Sequence, residues 1–349
     1  MHDDILNHLR TTFPDIPKRA LDFFSHERAF ARIKPSSGSK HPPLPLSSAA
    51  DFAATMKRGE SGSVPPFQAL RLVLDRLVDA GLMIKQGDQR DTIFGSDTLY
   101  LYMKNEGRDP LERIAEFIAY GYPAVLDAYG PLVRQIVVYE NDDQKSGTAF
   151  PVGTDLLLTA AHCVSTAPRL SVSGLSVSDL AGARILSDPT TSNDCACIKL
   201  REPQFTASSL PMWERPTPLR EVVLIGYPNI PTLVGSQVAE RANVGTVLRG
   251  AVAGTARDIF KTDLLLLTAP ARGGFSGGPV VTDWGLVVGM ISRSPDAHPS
   301  EFQRYDPSGF SLAIPSSTVQ TFVEAIEANE RDRFVERDPQ TYEWVDPIG

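Results

Sequence analysis

Three short segments hold residue types that could carry out nucleophilic chemistry. His162 lies in Thr159-Ala160-Ala161-His162-Cys163, directly after an apolar run. Asp194 opens the run CACIKL (195–200). Ser276 lies within Gly274-Phe275-Ser276-Gly277-Gly278-Pro279. A serine hydroxyl is a weak nucleophile at neutral pH and needs a base within hydrogen-bonding reach. Imidazole titrates near neutrality, so a histidine can take that proton and later return it to a leaving amine. A carboxylate behind the ring would hold the correct tautomer and stabilise the imidazolium. Three glycines around one serine are costly in conformational entropy unless the backbone needs them. Alone, each segment reads equally well as a turn or a core position. The order histidine, aspartate, serine and the strand context of all three favour one catalytic set of His162, Asp194 and Ser276.

The elements that must position these residues are short β-type runs divided by turn residues, from Pro131 onward. Six come first: VRQIVVYEN, GTAFPV, LLLTAAHC, RLSVSG, GARILSD and CACIKL. A polar, proline-containing crossing follows, and then six more: EVVLIGYPN, QVAERANVGTVLRG, DIFKTDLLLLTA, GGPVV, GLVVGMISR and GFSLAIPS. Six plus six is the strand count of a double β-barrel, an architecture that removes exposed sheet edges. STVQTFVEAIEANERDRF then reads as an amphipathic helix with Ser316 or Ser317 as its N-cap, and the residues from about Val335 read as a tail.

The three chemical segments resemble the trypsin and chymotrypsin superfamily, in that superfamily's own order. The resemblance covers roughly residues 131–322 and is nearest to the bacterial trypsin-like, HtrA-like branch, because GFSLAIPSSTV (309–319) is similar to its final strand and helix start. The PDZ domain usual in that branch is absent. The resemblance implies a serine endopeptidase whose oxyanion hole is the N–H groups of Gly274 and Ser276. It also places Ser292 where a serine helps hold the buried aspartate, and makes Ser292, Arg293 and Ser294 an edge for an extended substrate. The floor of the primary specificity pocket falls near Pro270, with Arg272 beside it. The lack of an acidic residue there argues against cleavage after Arg or Lys. Phe275 replaces the aspartate that receives a new N-terminus in digestive relatives. Cys163 matches a normally disulfide-bonded cysteine whose partner would stand near Gly147.

The full organisation expected is helices over 1–34, a Pro/Ser-rich linker over 35–48, a winged-helix-like α+β domain over 49–108, a connecting helix over 109–130, the trypsin-like domain over 131–325, and a helix end with tail over 326–349. The winged-helix resemblance is one of pattern: helix, helix, strand hairpin. The long helix of that zone sets Leu70, Leu72, Val73 and Leu77 on one face, with Leu82 following. It carries Arg71 and Arg76 but also Asp75 and Asp79, so it lacks the basic face expected of a DNA reader. A regulatory protein partner fits this zone better than nucleic acid.

A net charge of −8 gives no general attraction for nucleic acid or anionic membranes. The N-terminus lacks the basic start and apolar stretch of a secretory signal, and three cysteines suit a reducing compartment, so a cytoplasmic location is expected. Cys195 and Cys197 point the same way on a strand and read as buried free thiols. The chemistry requires no metal or organic cofactor. Two other readings fit the same residues: a silent peptide-binding pseudoprotease, and a DNA-binding regulator whose protease half cleaves itself.

Overall fold

The computed structural model describes residues 2–25, 47–56, 65–89, 97–102, 110–140, 143–190, 193–206, 212–228, 245–257, 261–292 and 310–347. The chain separates into two units, Met1–Val125 and Leu126–Gly349. Arg293, Ser294, most of the 35–48 segment and the first half of QVAERANVGTVLRG lie outside the described residues.

The first unit is built from helices α1 (His2–Thr12), α2 (Ile16–Phe24), α3 (Ala49–Thr55), α4 (Phe67–Asp79) and α5 (Pro110–Tyr120), with strands β1 (Ser47–Ser48), β2 (Ile84–Gln89) and β3 (Asp97–Leu101). The strands form an antiparallel sheet in the order β1-β3-β2. Ser47 and Ser48, at the end of the stretch read as a linker, are therefore a strand, and Ser48 caps α3 in a reciprocal capping box with Asp51. On α4 the buried residues are Ala69, Leu70, Val73, Leu74 and Leu77, whereas Leu72 is only half-buried. The expected face was thus turned by part of a helical turn, because Leu70, Val73, Leu74 and Leu77 follow the 3.6-residue period and Leu72 does not. Gly121, at φ +68°, ends α5, and α6 (Tyr122–Tyr129) begins at once with Pro123 in its first turn, where a missing N–H costs nothing.

The second unit holds the two expected sets of six strands. In the first set, β4 (Arg134–Glu140), β5 (Asp143–Pro151), β6 (Leu156–Ala160), β7 (Arg169–Val172), β8 (Arg184–Ser187) and β9 (Cys195–Lys199) run in the order β8-β9-β6-β5-β4-β7. In the second, β11 (Glu221–Gly226), β12 (Thr246–Arg257), β13 (Asp263–Leu267), β14 (Pro279–Thr282), β15 (Leu286–Ile291) and β16 (Ser311–Pro315) close fully, because β15 pairs with β14 on one side and β16 on the other. A short strand within the polar crossing, β10 (Met212–Trp213), adds to β15 in parallel. Val222, Leu224, Val252, Leu265, Leu267 and Val280 fill the closed barrel. The fold is thus that of chymotrypsin-like proteins: a closed six-stranded barrel with a second, half-barrel sheet.

Two expectations for the C-terminal region are corrected. The final helix, α8 (Ser316–Glu327), has Pro315 at its N-cap; Ser316 is already helical and donates its hydroxyl to the Glu214 carbonyl at 2.6 Å. The residues after Val335 are no loose tail. They form β17 (Val335–Glu336), paired with β8, and β18 (Glu343–Trp344), paired with β7. The first sheet does not pair β7 with β8 among the described residues, and the C-terminal segment takes both of its open edges. The unpaired backbone groups there provide the reason for that docking.

Candidate active site

His162 lies on a one-turn helix, α7 (Ala161–Val164), that directly follows β6. β6 is fully buried along its length, so α7 starts from a rigid strand end. Asp194 directly precedes β9, the neighbour of β6, and adopts φ +45°, a left-handed conformation that Asp and Asn tolerate better than most residues. Its main-chain carbonyl accepts the Ala161 N–H at 2.8 Å, which ties the two segments together before any side chain is involved.

The side chains then meet. His162 Nδ1–H donates to Asp194 Oδ2 at 2.8 Å, and lies 3.0 Å from Oδ1, which also accepts the His162 backbone N–H at 3.0 Å. Ser292 Oγ donates to Oδ2 at 2.6 Å. The carboxylate is buried and receives donors on both oxygens. Burial pushes its pKa up, but these hydrogen bonds and the facing imidazole win, and the acid stays below the ordinary carboxylate range. For His162, burial disfavours the imidazolium, yet the Asp194 hydrogen bond and charge raise its pKa above the usual histidine range. With Nδ1 carrying the proton, Nε2 is the ring nitrogen left to accept one.

Ser276 lies in the connection between β13 and β14, and its Oγ donates to the Ser292 carbonyl at 3.5 Å. Arg272 through Phe275 form a turn closed by Phe275 N–H to Arg272 O at 3.1 Å, with Gly274 at φ +99°. A positive φ at the third residue defines a type II turn. Its hydrogen bond uses the Phe275 N–H, so the Gly274 and Ser276 N–H groups stay out of it. Phe275 is buried in the closed barrel and anchors the loop there. Thr148 holds the loop from β5: its Oγ1 donates to Gly274 O at 2.6 Å and its N–H to Ser276 O at 2.8 Å. Sequence reasoning missed Thr148. The only available signal was a threonine in a strand whose burial could not be read from the run GTAFPV.

Of the other predicted residues, Pro270 and Arg272 are exposed, and Arg272 contributes its carbonyl to the turn described above. The wall beside them is fixed by Ser311, a further omission, whose hydroxyl donates to Ala269 O and accepts the Ala271 N–H, both at 2.7 Å. Cys163 is a free, buried thiol, and a Cβ built on Gly147 would stand 2.8 Å from its sulfur. The two positions matched to a disulfide are therefore in contact, with glycine in place of one partner. Cys195 and Cys197 are likewise free and buried. A cleft of about 290 Å³ opens beside His162, Gly274 and Ser276, lined further by Val138, Cys163, Thr166 and Ala167, with the Lys145–Glu140 ion pair bordering it. Among the described residues, no His, Cys, Asp or Glu cluster has the makings of a metal site.

This arrangement sets an imidazole backed by a buried carboxylate beside a cleft that Gly274 and Ser276 also line. Residues 147–290 match the family model described as a trypsin-like peptidase domain. The chain carries a trypsin-like peptidase domain. No curated protein matches the sequence. Among solved structures, the serine endoprotease from Yersinia pestis is 19% identical with a TM-score of 0.43, covering 59% of this chain and 66% of its own. The active form of the Rv3671c protease from M. tuberculosis is also 19% identical, with a TM-score of 0.43 and coverage of 62% and 86%. An HtrA-type protease solved with a tripeptide matches at 19% identity and a TM-score of 0.42, covering 58% and 62%. The chain thus spans less than two thirds of the Yersinia and HtrA-type chains. No helix among the described residues is long and apolar enough to cross a membrane.

Proposed function

We propose that the domain hydrolyses peptide bonds of a protein substrate through an acyl-enzyme on Ser276. His162 serves as general base and then general acid, Asp194 orients and charges it, and the Gly274 and Ser276 N–H groups receive the oxyanion. The observation that carries this reading is the Ser292–Asp194–His162 chain of hydrogen bonds, at 2.6 and 2.8 Å, ending beside the Ser276 loop. A buried carboxylate with that many donors is costly to build and is matched to a neighbouring imidazole that must gain a charge.

The same proposal assigns the first unit a regulatory role through a protein partner. Its helix–strand–helix–helix–hairpin order and β1-β3-β2 sheet support a winged-helix-type module. Protein contact is favoured over nucleic acid because the cations of its long helix are not arrayed for phosphate. Arg76 donates to the Ala119 carbonyl at 3.1 Å, and Asp75 lies within 3.6 Å of Lys85. A cytoplasmic protease needs such restraint.

A peptide-library digest read by mass spectrometry tests the reading. The wild-type chain should cut without preference for Arg or Lys, and Ser276→Ala should not cut. Equal cleavage by Ser276→Ala would remove the assignment. The same digest on residues 126–349 tests regulation, and an unchanged rate and pattern would remove that role.

A further inference from the structure

The C-terminal segment that covers the edges of the first sheet also reaches α7, the turn that carries His162. A one-turn helix such as α7 has no later turn to receive its last carbonyls, so they must bond elsewhere. Two carbonyls at and just beyond its end, those of Val164 and Ala167, accept from the guanidinium of Arg337: Nη1 bonds Val164 O and Nη2 bonds Ala167 O at 2.8 Å. The planar fork of arginine suits two acceptors held side by side, and its charge complements the negative end of a helix.

Arg337 is itself fixed from every side. Its backbone N–H donates to Ile185 O at 2.9 Å, next to the β17–β8 pairing. Its Nε donates to Thr341 Oγ1 at 3.1 Å, and the guanidinium lies over the Tyr342 ring at 4.9 Å. Tyr342 in turn donates to Ala183 O at 3.1 Å. An arginine held this rigidly transmits the position of the sheet edge to Val164 and Ala167, two and five residues after His162.

We propose that Arg337 is a positioning residue for His162, and that the C-terminal segment is thereby part of the catalytic apparatus. The proposal rests on the triad reading above. Removing the donors frees α7 to shift, and misplacement of a base by about 1 Å can cost on the order of 100-fold in rate.

The test uses the full chain and two readouts: the rate of fluorophosphonate capture by intact mass as a function of pH, and amide hydrogen exchange over residues 161–168. Arg337→Met keeps the stem and removes the donors. It should slow capture by about 10- to 100-fold, displace the pH midpoint and speed exchange over 161–168. Arg337→Lys can reach one carbonyl and should recover part of each effect. Arg184→Met breaks the 3.3 Å pairing with Glu336 on the same segment without touching α7, and should leave capture within about twofold. Wild-type capture and exchange in Arg337→Met would overturn the proposal. So would an Arg184→Met defect as large as that of Arg337→Met, since the effect would then belong to the segment as a whole. Should Arg337→Met not fold, wild-type behaviour of Arg337→Lys is the overturning result. If the wild-type chain is not captured at all, the triad reading fails, and exchange over 161–168 still decides whether Arg337 holds α7.

Discussion

Asp194→Asn is expected to slow acylation of Ser276 by on the order of 10⁴-fold while leaving the fold intact. The backbone tolerates the change, because φ +45° is a conformation asparagine adopts as readily as aspartate. The side chain does not. Both carboxylate oxygens accept hydrogen bonds, one from the His162 backbone N–H and one from Ser292, with the His162 ring between them. An amide must replace one acceptor by a donor, and the ring then loses its reason to keep the proton on Nδ1. The proton moves to Nε2, where it blocks the base. The pH dependence carries a second signature. The base works only when neutral, so wild-type acylation should rise with pH through the raised pKa of His162, with its midpoint above the usual histidine value. Without the carboxylate, burial dominates and favours the neutral ring, so the midpoint should move down even as the maximum rate collapses. Acylation rates across the pH range for both proteins check both statements. An unshifted midpoint would separate Asp194 from the ionisation of His162.

Gly277→Ala should be the most damaging single methyl group in the domain. Gly277 has φ +87°, and a Cβ there would stand 2.1 Å from Thr148 O, 2.5 Å from Thr159 Oγ1 and 2.8 Å from Ala160 N. None of these is the far end of a flexible side chain. Two lie on the backbone of β5 and β6, which cannot move without displacing β9 and Asp194. Strain and overpacking together should cost at least about 3 kcal/mol, or a fall in Tm of roughly 6–12 °C for a domain of this size. Ser276 should lose reactivity in whatever folds. Gly254→Ala is the matched control, because nothing lies within 4 Å of its added Cβ and its φ is not positive. Thermal unfolding of both variants makes the comparison. Equal Tm values would show that the Gly277 contacts yield, and that the glycine is not there for steric reasons.

What could be read in the sequence follows the strength of the local signals. The strands were legible because eleven of the twelve are runs of four to nine residues between turn formers, as in CACIKL or GLVVGMISR, while β12 extends to twelve. The Ser276 loop was legible through its glycines, and Gly277 shows why they are there. Ser292 was placed by resemblance alone, since a strand end followed by serine carries no pattern of its own, and the hydrogen bond to Asp194 is a product of tertiary folding. Thr148 and Ser311 were missed for the same reason: one hydroxyl in a strand looks like any other until its acceptor is known. The C-terminal segment failed for a different cause. β17 and β18 are two residues each, too short for any periodicity, and their charged and prolyl neighbours read as tail. Their order comes from the open sheet edges they cover, which the local sequence does not encode. Leu72 against Leu74 was an error of phase on one helix, where leucines at every second position, 70, 72 and 74, leave the pattern ambiguous.

The most direct test of the account is intact-mass analysis of the full chain after exposure to a fluorophosphonate, with Ser276→Ala and His162→Ala alongside. The geometry predicts a single adduct on the wild-type chain and none on either variant, because the hydroxyl reacts only when the imidazole can take its proton. A wild-type chain that stays unlabelled, or an adduct that persists on Ser276→Ala, would contradict the claim that these residues form a working catalytic set.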